Sequence, residues 1–250
     1  MIHAAAETSL SLLSEKPRLG FDVIVEGTKR ALEFAKASGL RQFLLTSSGA
    51  VYGRQPDKMT HIPEEYLGAP DPTSQLSAYG KGKRAAESLC ATYSQEGSLQ
   101  AKIARGFAFV GPYMDVDAYY AIGNFIRDAL KGGPIQVRGD GTAYRSYMYG
   151  ADLAEWLWII LLKGKVCYPY NVGSENRISI KELAETVRDT VNPKAEIHIS
   201  VKSAPGRAPE QYVPSTRRAR AELGLNETVD LRKAIQLTAE SLTENHFQKT

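Results

Sequence analysis

Cysteine is scarce in this sequence: two residues in 250, Cys90 and Cys167, neither part of a CxxC pair. So few cysteines exclude a disulfide framework and point to reducing surroundings, so a cytoplasmic location is expected. Long apolar runs are missing as well. The longest, Trp156 to Leu162, falls far short of the ~20 residues a membrane-spanning helix needs, so no membrane association is expected. The opening MIHAAAETS lacks the basic-then-apolar order of a secretory signal. There is little excess charge of either sign: 31 Lys and Arg against 28 Asp and Glu leave a formal +3, which predicts no nucleic-acid partner. His3, His61, His198 and His246 stand at no metal-ligand spacing, so no metal site is expected.

What is present is ordinary globular composition, 43% apolar and 24% charged, enough for a full core. Short apolar runs alternate with amphipathic stretches, the pattern of an α/β fold with a parallel sheet. Residues 21–38 read as a helix stopped by Gly39, and 41–46 as a buried strand ending in the turn Ser47-Ser48-Gly49. The stretch 53–76, with Pro56, Pro63, Pro70 and Pro72, reads as a long loop of the kind that is often functional. A helix over 77–93 and a strand over 101–109 follow. Beyond Gly111 helices are expected near 118–131, 151–163, 179–190 and 230–244, and strands near 135–138, 168–172 and 196–200. The break near residue 110 suggests a nucleotide-type half over 1–110, followed by a smaller, irregular half over 111–250 that is interleaved with the first.

Tyr79 and Lys83 lie four apart on the 77–93 helix and so share a face. An ammonium beside a phenol favours the phenolate, so Lys83 is expected to lower the pKa of Tyr79 toward the range useful for moving a proton on a substrate hydroxyl. Ser48 stands at the C-terminal end of a strand, where open α/β sheets bind ligands, and can reach the same oxygen. A YxxxK pair in a chain with 13 tyrosines arises easily by chance, and a solvated helix face is the better explanation when it is taken alone.

The ordered set around the pair is more specific. His3-Ala4-Ala5-Ala6, Gly27-Thr28, Thr46-Ser47-Ser48-Gly49-Ala50-Val51-Tyr52-Gly53, Tyr79-x-x-x-Lys83, Gly111-Pro112, Gly139-Asp140-Gly141 with Arg145, and Tyr170-Asn171-Val172-Gly173 follow in that sequence. Together they resemble the extended short-chain dehydrogenase/reductase family, in particular its NAD-dependent nucleotide-sugar epimerases and dehydratases, over essentially the whole chain. The resemblance implies a Rossmann-like doubly wound parallel sheet with a smaller mixed α/β substrate-binding part. It implies Ser48, Tyr79 and Lys83 as catalytic residues and His3, Ala4, Ala5, Thr46, Tyr79 and Lys83 as the wall for NAD or NADP. Ser48, Asn124, Arg145 and Arg207 would bind a nucleotide sugar, the arginines at its diphosphate. The helix carrying Tyr79 and Lys83 would pair two subunits into a homodimer.

Departures from the family pattern sharpen the expectation. Dehydratases of the family carry Asp and Glu directly after the position of Ser48, and decarboxylases keep the Glu. Gly49 and Ala50 stand there and transfer no protons, which favours an epimerase or ketoreductase that works through a keto-sugar. Ile24, Ala108 and Val110 replace polar or aromatic residues usual near the substrate. The glycine-rich GxxGxxG segment that opens a dinucleotide-binding domain is missing. The local match Gly80-Lys81-Gly82-Lys83-Arg84-Ala85 is a decoy, with no strand before it and no acid at the right distance. Two expectations follow: an enzyme whose cofactor site is completed in another way, or a non-catalytic remnant that binds a sugar nucleotide or a partner subunit. An open edge at Ile2 predicts a chain that is less stable than a full-length relative, or oligomeric. Trp156 and Trp158 are expected in the core or a subunit contact, and Arg217, Arg218 and Arg220 on a solvated helix face.

Overall fold

The computed structural model describes residues 1–6, 14–97, 99–118, 120–202, 206 and 208–247. Strand β1 (Ile2–His3) leads to helix α1 (Pro17–Ala37), which starts about one turn earlier than expected because Pro17 suits a first helical turn. Strand β2 (Gln42–Ser48) runs into a 3-10 turn over Gly49–Tyr52, and the irregular 53–74 segment reaches helix α2 (Ala78–Gln95). Strand β3 (Gln100–Gly106) is followed by the two-residue β4 (Phe109–Val110), so the expected single strand over 101–109 is broken at residues 107 and 108.

The remaining elements are α3 (Ala121–Leu130), β5 (Ile135–Val137), β6 (Tyr144–Arg145), β7 (Met148–Tyr149), α4 (Gly150–Lys163), β8 (Pro169–Val172), β9 (Ile178–Ser179), α5 (Ile180–Val191), β10 (Ile197–Ile199), β11 (Gln211–Tyr212), α6 (Arg217–Leu223) and α7 (Leu231–Phe247). The sequence pattern had no sign of β4, β6, β7, β9 or β11, since two residues are too few to display a period.

The central sheet is parallel, in the order β1-β2-β3-β8. Alternation along β2 decides its two faces. Phe43 and Leu45 pack with Ile24, Leu32, Ala86 and Cys90 of α1 and α2. Leu44 points the other way, to Trp156, Ile160 and Leu161 of α4. Helices thus cover both faces, the doubly wound arrangement. The strand β8 comes from the second half of the chain and closes on β3, which ties the two halves together. A separate core of Ile122, Phe125, Ile126, Ile135, Val137, Leu183, Val187 and Ile235 holds α3, α5 and α7 over β5 and β10.

Burial separates the two tryptophans and corrects one expectation. Trp156 is in the core as expected, whereas Trp158 on the same helix is 58% exposed in the single chain. Arg218 is not on a solvated face: it stacks 3.9 Å from the Tyr168 ring centre and donates to Pro169 O and Glu65. Among the described residues no helix is long and apolar enough to cross a membrane, and no cluster of His, Cys, Asp or Glu is arranged to hold a metal ion.

Candidate active site

The C-terminal end of β2 places Ser47 and Ser48 at the top of the sheet, and α2 crosses beside it. Lys83 is buried and donates to Thr46 O at 2.7 Å. Thr46 Oγ1 in turn donates to His3 O, tying β2 to β1. His3 approaches Thr28 Oγ1 at 3.3 Å, and burial, assisted by the charge of Lys83, lowers its pKa. Ala4 and Ala5, directly after β1, are exposed. Residues 3–5, Thr46 and Lys83 therefore lie along one end of the strands.

Tyr79 and Lys83 share a face of α2, with the Lys83 ammonium 5.8 Å from the Tyr79 ring centre. The electrostatic expectation is reversed in this structure. Burial raises the Tyr79 pKa, and a hydrogen bond with Ser48 opposes that only in part. Burial also pulls Lys83 down to about 8, against the attraction of Glu87. For both groups the cost of burial outweighs the partner that opposes it, the Ser48 hydrogen bond for Tyr79 and the Glu87 charge for Lys83.

Ser48 Oγ accepts from Ala50 N at 3.2 Å and stands 3.4 Å from the Tyr212 hydroxyl. Tyr212 belongs to β11, 164 residues further along the chain, and the sequence reading overlooked it. Its ring stacks on Phe107 with centres 4.7 Å apart. A Cβ on Gly49 would lie 2.7 Å from Phe107 Cζ and 2.8 Å from the Tyr212 hydroxyl, so these two aromatic side chains fill the space that a side chain at position 49 would need. The decoy glycines have a packing reason as well. A Cβ on Gly80 would lie 2.6 Å from Ala50 O, and one on Gly82 3.3 Å from Ile24.

Ser48, Ala50, Tyr79, Phe107, Tyr212 and Arg145 line one cavity of about 900 Å³, together with Asn124 and Arg138. Asn124 uses both amide hydrogens on Val116 O and Ala118 O, which leaves its carbonyl oxygen as the group that can still accept. Arg145 pairs with Glu210 at 3.0 Å, across the β6–β11 ladder that also sets Tyr212 beside it. Arg207 lies outside the described residues.

Behind the site, Arg105 donates to both carboxylate oxygens of Glu87, at 2.9 and 2.7 Å, and to the Tyr52 hydroxyl. Ser47 donates to Glu87 at 2.6 Å, and Tyr52 donates to Asn171.

Residues 1–173 match the model of the NAD dependent epimerase/dehydratase family, and the chain belongs to that family. UDP-glucuronic acid decarboxylase 3 of Arabidopsis thaliana is 36% identical over 239 residues, 95% of this chain and 68% of that protein. UDP-glucuronic acid decarboxylase 1 of Xenopus tropicalis is 33% identical over 213 residues, 85% of this chain and 49% of that protein. Among solved structures, the UDP-glucose 4-epimerase of Thermus thermophilus in complex with NAD superposes with a TM-score of 0.82 at 26% identity, over 97% of this chain and 76% of that one. UDP-glucose 4-epimerase of Thermotoga maritima with UDP-glucose shares the fold, with a TM-score of 0.86 at 22% identity over 98% of this chain and 77% of that one.

Proposed function

We propose that this chain modifies a nucleotide-activated sugar by NAD(P)-dependent oxidation and reduction through a keto-sugar, as an epimerase or ketoreductase and not as a 4,6-dehydratase. The observation that carries the reading is that Ser48 and Tyr79 line one cavity with Ala50, while Lys83 lies one turn further along α2, 5.8 Å from the Tyr79 ring centre, and neither Gly49 nor Ala50 supplies a carboxylate. Elimination of water needs a second acid–base pair at the sugar. At position 49 the ring ends of Phe107 and Tyr212 would have to shift to admit a side chain. Relatives that are named decarboxylases make decarboxylation the natural competing outcome, and the same absence of a carboxylate weighs against it.

The residues present fit the nicotinamide–ribose end of a dinucleotide. Lys83 is buried, and its one acceptor among the described residues is Thr46 O, so two of its three donors remain for ribose hydroxyls. His3, Ala4, Ala5 and Thr46 complete that wall. No glycine-rich strand-to-helix turn occurs among the described residues to cradle a pyrophosphate. NAD(P), when bound, supplies the hydride acceptor and donor. Tyr79 takes the proton of the sugar hydroxyl and returns it, and Ser48 Oγ orients that oxygen. The Lys83 ammonium supports the phenolate that burial disfavours. Arg145 and Arg207 serve the diphosphate, and Asn124 offers a carbonyl acceptor beside it.

A homodimer through the α1–α2 face accompanies this reading. Leu19, Val23 and Phe34 are exposed on α1, Phe34 by 61%, next to the helix that carries Tyr79 and Lys83. Such a row of apolar side chains is what a subunit contact covers.

Incubation of the purified chain with NAD(P) and a panel of nucleotide sugars tests the function. The expected product is an isomer of the substrate or its reduced form, abolished by Tyr79→Phe. Loss of water or of carbon dioxide from the sugar, or an unchanged rate in Tyr79→Phe, would overturn it.

A further inference from the structure

The reacting end of the cavity is lined mainly by apolar and aromatic side chains. The space beside Ser48 is occupied by the Phe107–Tyr212 pair, whose ring ends would have to shift to admit a side chain at Gly49. Burial drives the Tyr212 pKa upward, with the Ser48 contact only partly opposing it, so its phenol stays neutral and offers a hydrogen bond but no charge. Ala50, Ala108, Phe109, Met114 and Phe125 add apolar wall.

A carboxylate in such a place needs a cation to offset its lost hydration. The cations around the site are committed elsewhere. Arg105 spends its fork on Glu87 and Tyr52, Lys83 holds Thr46 O and in the reading above the cofactor ribose, and Arg145 pairs with Glu210 and in the same reading serves the diphosphate. Arg138 lines the same cavity from just beyond β5, whose own packing partners are α3, α5 and β10. The acid on the wall, Asp115, would repel a second carboxylate.

We infer that the Phe107–Tyr212 wedge makes this site select nucleotide-linked neutral sugars and reject uronic acids. The inference rests on the nucleotide-sugar reading above and adds to it the charge class of the sugar. It implies that the reaction supplying the substrate delivers a sugar whose C-6 has not been oxidised to a carboxylate.

Calorimetric titration of the full chain with UDP, dTDP and GDP identifies the base it accepts. The glucose and glucuronic acid derivatives of that base are then compared. The expected result is binding of the glucose derivative at least about a hundredfold tighter than of the glucuronic acid derivative, a margin in keeping with specificity built on an unmatched charge. In Tyr212→Lys, which places a cation beside Ser48, the ratio is expected to fall by about tenfold or more. Equal binding of the two sugars by the unaltered chain would overturn the inference and leave the nucleotide-sugar reading intact. Absence of binding by all three nucleoside diphosphates would overturn both. The comparison on the unaltered chain decides the matter even if the lysine variant fails to fold.

Discussion

Glu87 and Arg105 form a two-pronged ion pair, Nε to Oε1 at 2.9 Å and a terminal nitrogen to Oε2 at 2.7 Å, with both side chains largely buried. Glu87 lies one turn beyond Lys83 on α2 and also receives the Ser47 hydroxyl. The pair therefore clasps the helix that bears Tyr79 and Lys83 to the strand ends that bear Ser48. Burial works against the Arg105 charge, yet the Glu87 carboxylate outweighs it and the Arg105 pKa is raised.

Removing one partner of this pair leaves an uncompensated buried charge. Glu87→Ala is expected to cost about 3–5 kcal/mol of stability, the usual range for breaking a buried ion pair, read from denaturant midpoints. Glu87→Gln keeps the shape and half of the hydrogen bonding. Its expected signature is a fall in kcat with KM little changed, because the substrate pocket persists while Ser48 and Tyr79 lose their mutual alignment. An equal rise of KM would argue that Glu87 shapes the pocket instead.

The buried ammonium of Lys83 gives opposite pH trends in activity and stability. Its pKa is about 8 in the folded chain, below the ordinary 10.5. Activity that depends on the charged form is expected to decline as pH rises through about 8, and Lys83→Arg to move that decline upward, since a guanidinium stays charged. Between about 8 and 10.5 the unfolded chain binds the proton and the folded chain does not, so stability should rise with pH across that window. Thermal melts of the native chain and of Lys83→Met check the second part: the rise should be absent from the variant.

Gly49 answers to packing. Gly49→Ala puts a methyl group within 3 Å of Phe107 and Tyr212, and overpacking of this kind costs about 1–3 kcal/mol. Pairing it with Phe107→Leu, which frees space at the ring edge, should recover part of the loss. A fully additive double variant would refute the contact as its cause.

The α1 stripe predicts oligomeric behaviour. Phe34→Glu, at a position 61% exposed in the single chain, should shift sedimentation from dimer to monomer without lowering helix content. An unchanged sedimentation coefficient would count against the α1–α2 face.

Much of the architecture was legible along the chain. Alternation of Phe43, Leu44 and Leu45 determined a strand buried on both faces, and the spacing of Tyr79 and Lys83 placed them on one side of a helix. The ordered motifs were enough to indicate the family. Tertiary structure alone decided the rest. Tyr212 reaches Ser48 from a two-residue strand 164 positions away, and a segment that short carries no period to read. Arg218 looked like a surface charge until Tyr168 and Glu65 closed over it. Trp156 and Trp158 differ because only one side of α4 meets the sheet. The direction of the Tyr79 shift depended on how much water the fold removes, whereas sequence spacing reports only which charges are neighbours. Local pattern determines which face a side chain takes, but contacts between distant segments and the loss of solvent around them exist only once the chain has closed.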